Sequence, residues 1–123
     1  MPRSETLTGT CHCGAVAFEV SRPDFIVACN CSICRRYAAL WVHAPPATAR
    51  LTKGADQTTP YIWGDGDIAF HSCKTCGCVT HWQGTDATDG GRWAVNMRMT
   101  DPDARANIRL RHFDGADSWE FLD

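Results

Sequence analysis

Eight cysteines constrain this chain more than any other feature, because their spacing predicts which distant segments must meet. They form two outer pairs, a central triplet and one further thiol: Cys11 and Cys13, Cys73 and Cys76, then Cys29, Cys31 and Cys34, and Cys78. An even count is compatible with a disulfide framework, and close spacing is typical of metal ligands. The choice between these two depends on the loops that each pair would close.

Metal binding explains the spacing better than disulfides do. Cys-X-Cys and Cys-X-X-Cys pairs close short loops, whereas a disulfide restricts the unfolded chain most when its loop is long. Residues 1–6 contain no apolar run typical of a secretory signal, and no segment reaches the ~20 apolar residues of a membrane helix. We therefore expect a cytoplasmic protein whose thiols stay reduced. Zinc is the expected metal, with an iron–sulfur cluster as the alternative.

The two outer pairs predict one closed site. In an extended Cys11-His12-Cys13 segment, the first and third side chains face the same side. Cys73 and Cys76 flank a tight turn, in which Gly77 can take the positive φ that such turns often need. Together the pairs supply four thiolates to one ion, which would clamp two distant hairpins. Structural zinc of this kind contributes on the order of 10 kcal/mol to folding.

The central triplet predicts a different kind of site. Cys29, Cys31 and Cys34 supply three ligands locally, and no fourth cysteine adjoins them. Three protein ligands with an exchangeable fourth position distinguish catalytic from structural zinc. The alternative is that Cys78 or a histidine closes the site. Cys78 could equally be a small buried thiol that packs as an apolar residue.

The remaining pattern predicts a mainly β fold in a single domain, 1–123. Val16, Phe18 and Val20 alternate with less apolar residues, as in a half-buried strand. Other short strands are predicted at 25–28, 39–44, 50–53, 61–63, 68–72, 79–83, 93–97 and 108–111. Short helices are predicted at 32–37 and from Pro102 to about Ala106, and polar loops at 64–67 and 86–91. The formal charge of −2 gives no reason to expect nucleic acid or a membrane surface as a partner.

Three ordered motifs resemble those of the glutathione-dependent formaldehyde-activating family, which includes the centromere protein V domain. They are Gly9-Thr10-Cys11-His12-Cys13-Gly14-Ala15-Val16, Cys29-Asn30-Cys31-Ser32-Ile33-Cys34-Arg35 and Phe70-His71-Ser72-Cys73-Lys74-Thr75-Cys76-Gly77. The resemblance implies a two-sheet, mainly β, zinc-bound fold. It also implies that the outer four cysteines hold a structural zinc and the triplet a catalytic one. The activity implied is addition of glutathione to formaldehyde, a carbon–sulfur lyase reaction in its reverse sense.

On this interpretation the triplet zinc receives a thiol, which loses its proton and attacks a nearby aldehyde carbon. Arg35 and Arg36 follow the triplet and are candidates to bind the carboxylates of glutathione. His43 and His81 are candidate proton acceptors, although ordinary hydrogen-bonded or exposed strand histidines are the favoured interpretation. The competing hypothesis is a non-catalytic zinc module that binds a partner protein, with both metal sites closed.

Overall fold

The computed structural model describes residues 5–44, 48–85 and 92–123. These residues form ten strands, two short helices and one 3₁₀ turn (Met97–Met99). The strands are β1 (Thr6–Thr10), β2 (Ala17–Ser21), β3 (Phe25–Cys29), β4 (Trp41–Ala44), β5 (Ala49–Lys53), β6 (Thr58–Ile62), β7 (Ile68–Cys73), β8 (Val79–Gly84), β9 (Trp93–Asn96) and β10 (Arg109–Phe113). The helices are α1 (Ser32–Tyr37) and α2 (Pro102–Arg105). The mainly β prediction is therefore confirmed.

Two sheets divide the strands. The small sheet has the order β1-β2-β5, and the large sheet has the order β10-β3-β4-β9-β8-β7-β6. Among the described strands, every pair is antiparallel except β3 with β10, which run parallel with Cys29 opposite Phe113. This parallel pair brings the end of the chain beside the central cysteine triplet.

The central strands of the large sheet are covered on both faces. One face packs against the small sheet through an apolar cluster that contains Phe18, Val20, Val95 and Met97. The opposite face carries α1 and a second cluster around Trp41. Strand β9 is buried along its whole length, as expected for a central strand with neighbours on both faces. Among the described residues, no helix is long and apolar enough to cross a membrane.

The sequence places most elements within one or two residues of their observed bounds. The largest difference is the predicted strand 61–63, which is observed as β6 and ends before Trp63. That strand runs through Pro60, which lies on the outermost strand of the large sheet, where a proline is tolerated. Strand β9 ends at Asn96 because its side chain accepts a hydrogen bond from the Arg98 N–H and starts the 3₁₀ turn. The predicted loop 86–91 lies outside the described residues.

Candidate metal centres

The two outer cysteine pairs meet at one end of the two sheets. Cys11 and Cys13 lie after β1 in the small sheet, while Cys73 ends β7 and Cys76 lies in the following turn of the large sheet. Their four sulfur atoms all lie within 4.8 Å of one another. The Sγ atoms of Cys13 and Cys73 are 3.5 Å apart although 60 residues separate them in sequence. The group therefore connects the two sheets, and the expected turn at Gly77 has a φ of 82°.

Backbone N–H groups point at several of these sulfurs. Val16 donates to Cys11 Sγ at 3.3 Å, and Thr75 and Cys76 donate to Cys73 Sγ at 3.4 and 3.5 Å. The last two hydrogen bonds lower the pKa of the Cys73 thiol. Such donors stabilise thiolate sulfur, which is the form that binds metal.

The thiols of this group also differ widely in pKa. Hydrogen bonds from the N–H groups of Cys78 and Cys13 lower the pKa of Cys76 to about 5. For Cys13, a bond from the Ala15 N–H lowers the pKa. Its bond to the Cys73 sulfur, together with desolvation, outweighs that effect and raises the pKa to about 11. Four adjacent thiols thus cannot all ionise readily without a cation among them.

The donor set fits zinc. Four sulfurs at about 2.3 Å from one ion would be about 3.8 Å apart along each edge of a tetrahedron. The two sulfur pairs in hydrogen-bond contact are separated by 3.7 Å (Cys11–Cys13) and 3.5 Å (Cys13–Cys73), close to that edge. A disulfide would need about 2.05 Å, and all eight cysteines are free. The spacing is that of ligands around a shared ion.

Cys78 belongs to the neighbourhood of this first group. It packs with Val16 and Cys76 in a small buried cluster, and its N–H lowers the pKa of Cys76. It does not join the central triplet, whose cysteines pack in a different cluster around Trp41. The alternative in which Cys78 closes the triplet is therefore wrong, because the β7–β8 turn carries it to the other cysteine group.

The central triplet forms a second group at the junction of β3 and α1. Cys29 is the last residue of β3, Cys31 occupies the N-cap position of α1, and Cys34 lies inside that helix. Their three sulfur atoms lie within 4.8 Å of one another. Among the described residues, no further cysteine, histidine or carboxylate joins this group. The three donors suit a zinc ion that keeps one coordination position for another ligand.

The three thiols of the triplet are not equivalent. A hydrogen bond with Cys34 lowers the pKa of Cys29 to about 5, because the Cys34 thiol stabilises its neighbour as a thiolate. The same contact, together with burial, raises the pKa of Cys34. Trp41 opposes that shift, since its Nε1–H donates to Cys34 Sγ at 3.3 Å.

Two aromatic residues near the triplet have features that sequence reasoning missed. Trp41 is buried in the core, and it also donates to a candidate ligand sulfur. Tyr37 lies three residues after Cys34 and therefore on the same face of α1, with its ring 5.6 Å from that of Phe70. Burial and the nearby Tyr61 and Cys34 raise the pKa of Tyr37. The spacing Cys34-X-X-Tyr37 is the sequence signal that could have identified it.

The predicted arginines are exposed beside the triplet. Arg35 and Arg36 occupy the last turn of α1, and Arg36 donates to the Ser32 carbonyl at 2.8 Å. Their position leaves both guanidinium groups accessible to a ligand that reaches this end of the helix.

The predicted histidines lie in other environments. His81 is buried, bonds to the Thr80 hydroxyl at 2.8 Å and stacks on His71 with ring centroids 4.6 Å apart. Burial lowers the pKa of His81 to about 3, so its ring stays neutral at physiological pH. His43 is exposed and contacts Trp82 edge-on. Both are the hydrogen-bonded or exposed strand histidines that the sequence analysis favoured.

A model of the family described as glutathione-dependent formaldehyde-activating enzyme matches residues 6–113. The chain belongs to this family. A crystal structure of a Rhodobacter sphaeroides protein is 32% identical to it, with a TM-score of 0.65. That match covers 85% of this chain and 99% of the Rhodobacter chain. Both cysteine groups lie inside the matched range.

Proposed function

We propose that this protein is a zinc-dependent enzyme that adds a thiol to a small aldehyde. Glutathione and formaldehyde are the pair that the family description supports, and S-hydroxymethylglutathione would be their product. The observation that carries the proposal is the triplet of Cys29, Cys31 and Cys34. It gathers three sulfur donors and, among the described residues, gains no fourth. In its reverse sense the reaction is a carbon–sulfur lyase reaction.

The addition needs no oxidant or reductant. The thiol sulfur forms a bond to the carbonyl carbon, the electron pair of the C=O π bond moves to oxygen, and the thiol proton ends on that oxygen. The chemistry that a zinc ion supplies when three thiolates hold it is a positive charge that favours the deprotonated form of an incoming thiol. The chain must then bind the thiol, orient it and supply a proton to the product oxygen.

Tyr37 is the residue that we assign to proton donation. A tyrosine phenol is protonated at neutral pH, burial raises the pKa of this one further, and it lies one helical turn beyond Cys34. A phenol near the reacting centre can donate to an oxygen that becomes negative as the carbon–sulfur bond forms. Tyr37 then regains a proton from solvent, which has received the proton that the thiol lost, so that the thiol proton reaches the product oxygen in net terms. Neither His43 nor His81 is assigned this role, since His81 is buried against His71 and His43 contacts Trp82.

Arg35 and Arg36 are assigned to substrate binding. Glutathione carries two carboxylates, and an arginine pairs with a carboxylate through two parallel hydrogen bonds. Both side chains are exposed at the end of α1 that follows the triplet. Exposed ion pairs are weak singly, so we expect each arginine to raise affinity for glutathione by only a few tenths to about 1 kcal/mol.

The test is the rate at which the zinc-loaded protein equilibrates glutathione, formaldehyde and their adduct, measured by NMR exchange against the uncatalysed rate. We expect acceleration by the parent protein, little by Cys31→Ser, and a reduced rate with unchanged glutathione affinity for Tyr37→Phe. Replacing Arg35 and Arg36 by alanine should weaken glutathione binding but not that of 2-mercaptoethanol. No acceleration by a protein that holds two zinc ions would overturn the proposed function.

A further inference from the structure

A short loop at the end of the chain lies directly against the triplet. Residues 114–120, here called the C-terminal loop, follow β10, whose last residue pairs with Cys29. The loop closes on itself through two backbone bonds, from the Asp114 N–H to the Glu120 carbonyl at 2.9 Å and from the Trp119 N–H to the Asp114 carbonyl at 2.8 Å. It is therefore an ordered unit and not a trailing end.

Asn30, the residue between the first two cysteines of the triplet, holds this loop in place. Its Nδ2 donates to Asp114 Oδ1 at 3.0 Å, and its Oδ1 accepts from the Ala116 N–H at 3.0 Å. The other oxygen of Asp114 accepts from the N–H and the hydroxyl of Ser118 at 3.2 and 2.9 Å. The Asn30 side chain thus hydrogen-bonds to the loop on both sides of Gly115.

The hydrogen bonds of Asn30 hold Gly115 against the triplet. A Cβ atom built at Gly115 would lie 2.6 Å from Cys29 Sγ and 3.4 Å from Cys31 Cβ. The φ of Gly115 lies outside the left-handed region, so glycine is needed here for space and not for backbone conformation. Its backbone N–H also hydrogen-bonds to the Cys29 sulfur.

We propose that Asn30 and Gly115 are positioning residues of the triplet, and that the C-terminal loop they anchor forms one wall of its metal site. This inference rests on the proposed function only in that the triplet binds a metal. The loop covers the sulfur of Cys29 on one side and fixes its direction. A ligand that completes the site must then approach from a side that the loop does not cover.

The test is the affinity of the second zinc equivalent, measured by competition with a chromophoric chelator. Loss of residues that orient metal ligands typically weakens metal binding about 10- to 100-fold. We expect a loss of that size for Asn30→Ala and for Gly115→Ala, with the first equivalent unchanged. Asn107→Ala, at an exposed asparagine before β10, is the matched control and should change neither equivalent.

A paired exchange separates positioning from general damage. Asn30→Asp alone puts a carboxylate opposite Asp114 and should weaken the second site further. Adding Asp114→Asn restores every hydrogen bond with one donor direction reversed, because the amide at position 114 then donates to the carboxylate at position 30. We expect the double variant to recover most of the affinity and the cobalt absorption spectrum of the second site.

Four results would decide between these outcomes. Unchanged second-site affinity in Asn30→Ala, or a double variant no better than Asn30→Asp, would overturn the inference. A parent protein that binds only one zinc would overturn it together with the proposed function. Weakened second sites in a protein that accelerates no aldehyde addition would sustain the inference and reject the proposed function alone.

Discussion

The two cysteine groups use the same donor atom in opposite structural settings. The four-cysteine group draws sulfurs from two sheets and joins residues 60 positions apart. The triplet draws its sulfurs from six consecutive residues at one strand end and one short helix. A metal in the first group would tie the two sheets together, whereas a metal in the second would connect no distant segments. The difference teaches that a site can keep an open position when the fold does not depend on its closure.

The largest expected effect is the loss of a ligand from the four-cysteine group. Cys13→Ala should lower the free energy of unfolding by about 5 kcal/mol or more, a large part of what structural zinc contributes. Cys13 is exposed, so lost side-chain burial cannot account for such a change. Thermal melting with and without a chelator is the measurement. The neighbouring His12→Ala is the control. Equal melting temperatures for the two variants would show that the four-cysteine group does not stabilise the fold.

The second prediction concerns the triplet. Cys31→Ser should reduce bound zinc from two equivalents to one and abolish thiol addition, because it removes one of three donors. The melting temperature should fall by less than about 5 °C, since no distant segments are released. Zinc content and melting are measured on the same sample, with Ser32→Ala as control. Unfolding of Cys31→Ser would show that both cysteine groups stabilise the fold, contrary to the difference proposed between them.

A smaller effect is expected from the indole that contacts the triplet. Trp41→Phe removes the Nε1–H that donates to Cys34 Sγ and leaves an aromatic ring in the core. We expect the second zinc equivalent to weaken by about tenfold, the lower end of what one hydrogen bond to a charged group contributes. Trp82→Phe makes a similar cavity in the same cluster without touching a candidate ligand. Equal zinc affinity in the two variants would contradict the prediction.

The smallest effect is a difference in thiol titration within the metal-free protein. Cys29 has a pKa of about 5 and Cys13 one of about 11, so alkylation should reach half its maximal rate near these pH values. The lowered pKa of Cys29 stabilises the fold fully above the unfolded value of about 8.5, and this contribution is lost as the pH falls through 5. Peptide mapping after pulse alkylation distinguishes the two. Cys34→Ala should shift the Cys29 midpoint upward, and an unmoved midpoint would refute the assigned cause.

Local patterns in the sequence predict much of this structure. The alternation around Phe18 identifies β2, the cysteine spacing identifies both sulfur groups, and the helix at 32–37 is observed with the same bounds. Each of these features depends on neighbours within a few residues. Their physical cause, strand or helix periodicity, is therefore visible in the sequence itself.

Features that depend on distant pairing were not predictable in the same way. The parallel pairing of β10 with β3 joins segments that no local signal relates, and it places Gly115 on Cys29. In the sequence, Asn30 looks like a residue that only separates two cysteines. Its hydrogen bond to Asp114 depends on the folded position of the C-terminal loop, 84 residues away. Cys78 packs beside the four-cysteine group because of a turn whose direction its spacing does not encode.

Pro60 on the outermost strand has a consequence for how copies of this protein meet. Strand β6 pairs with β7 on one side and has no partner on the other among the described strands, and its Tyr61 and Ile62 side chains are exposed. Such an edge is a template on which a strand of another molecule can add. A proline offers no N–H to an incoming strand, so the ladder would be interrupted in its middle. Pro60, the residue type that strands least favour, therefore disfavours edge-to-edge aggregation.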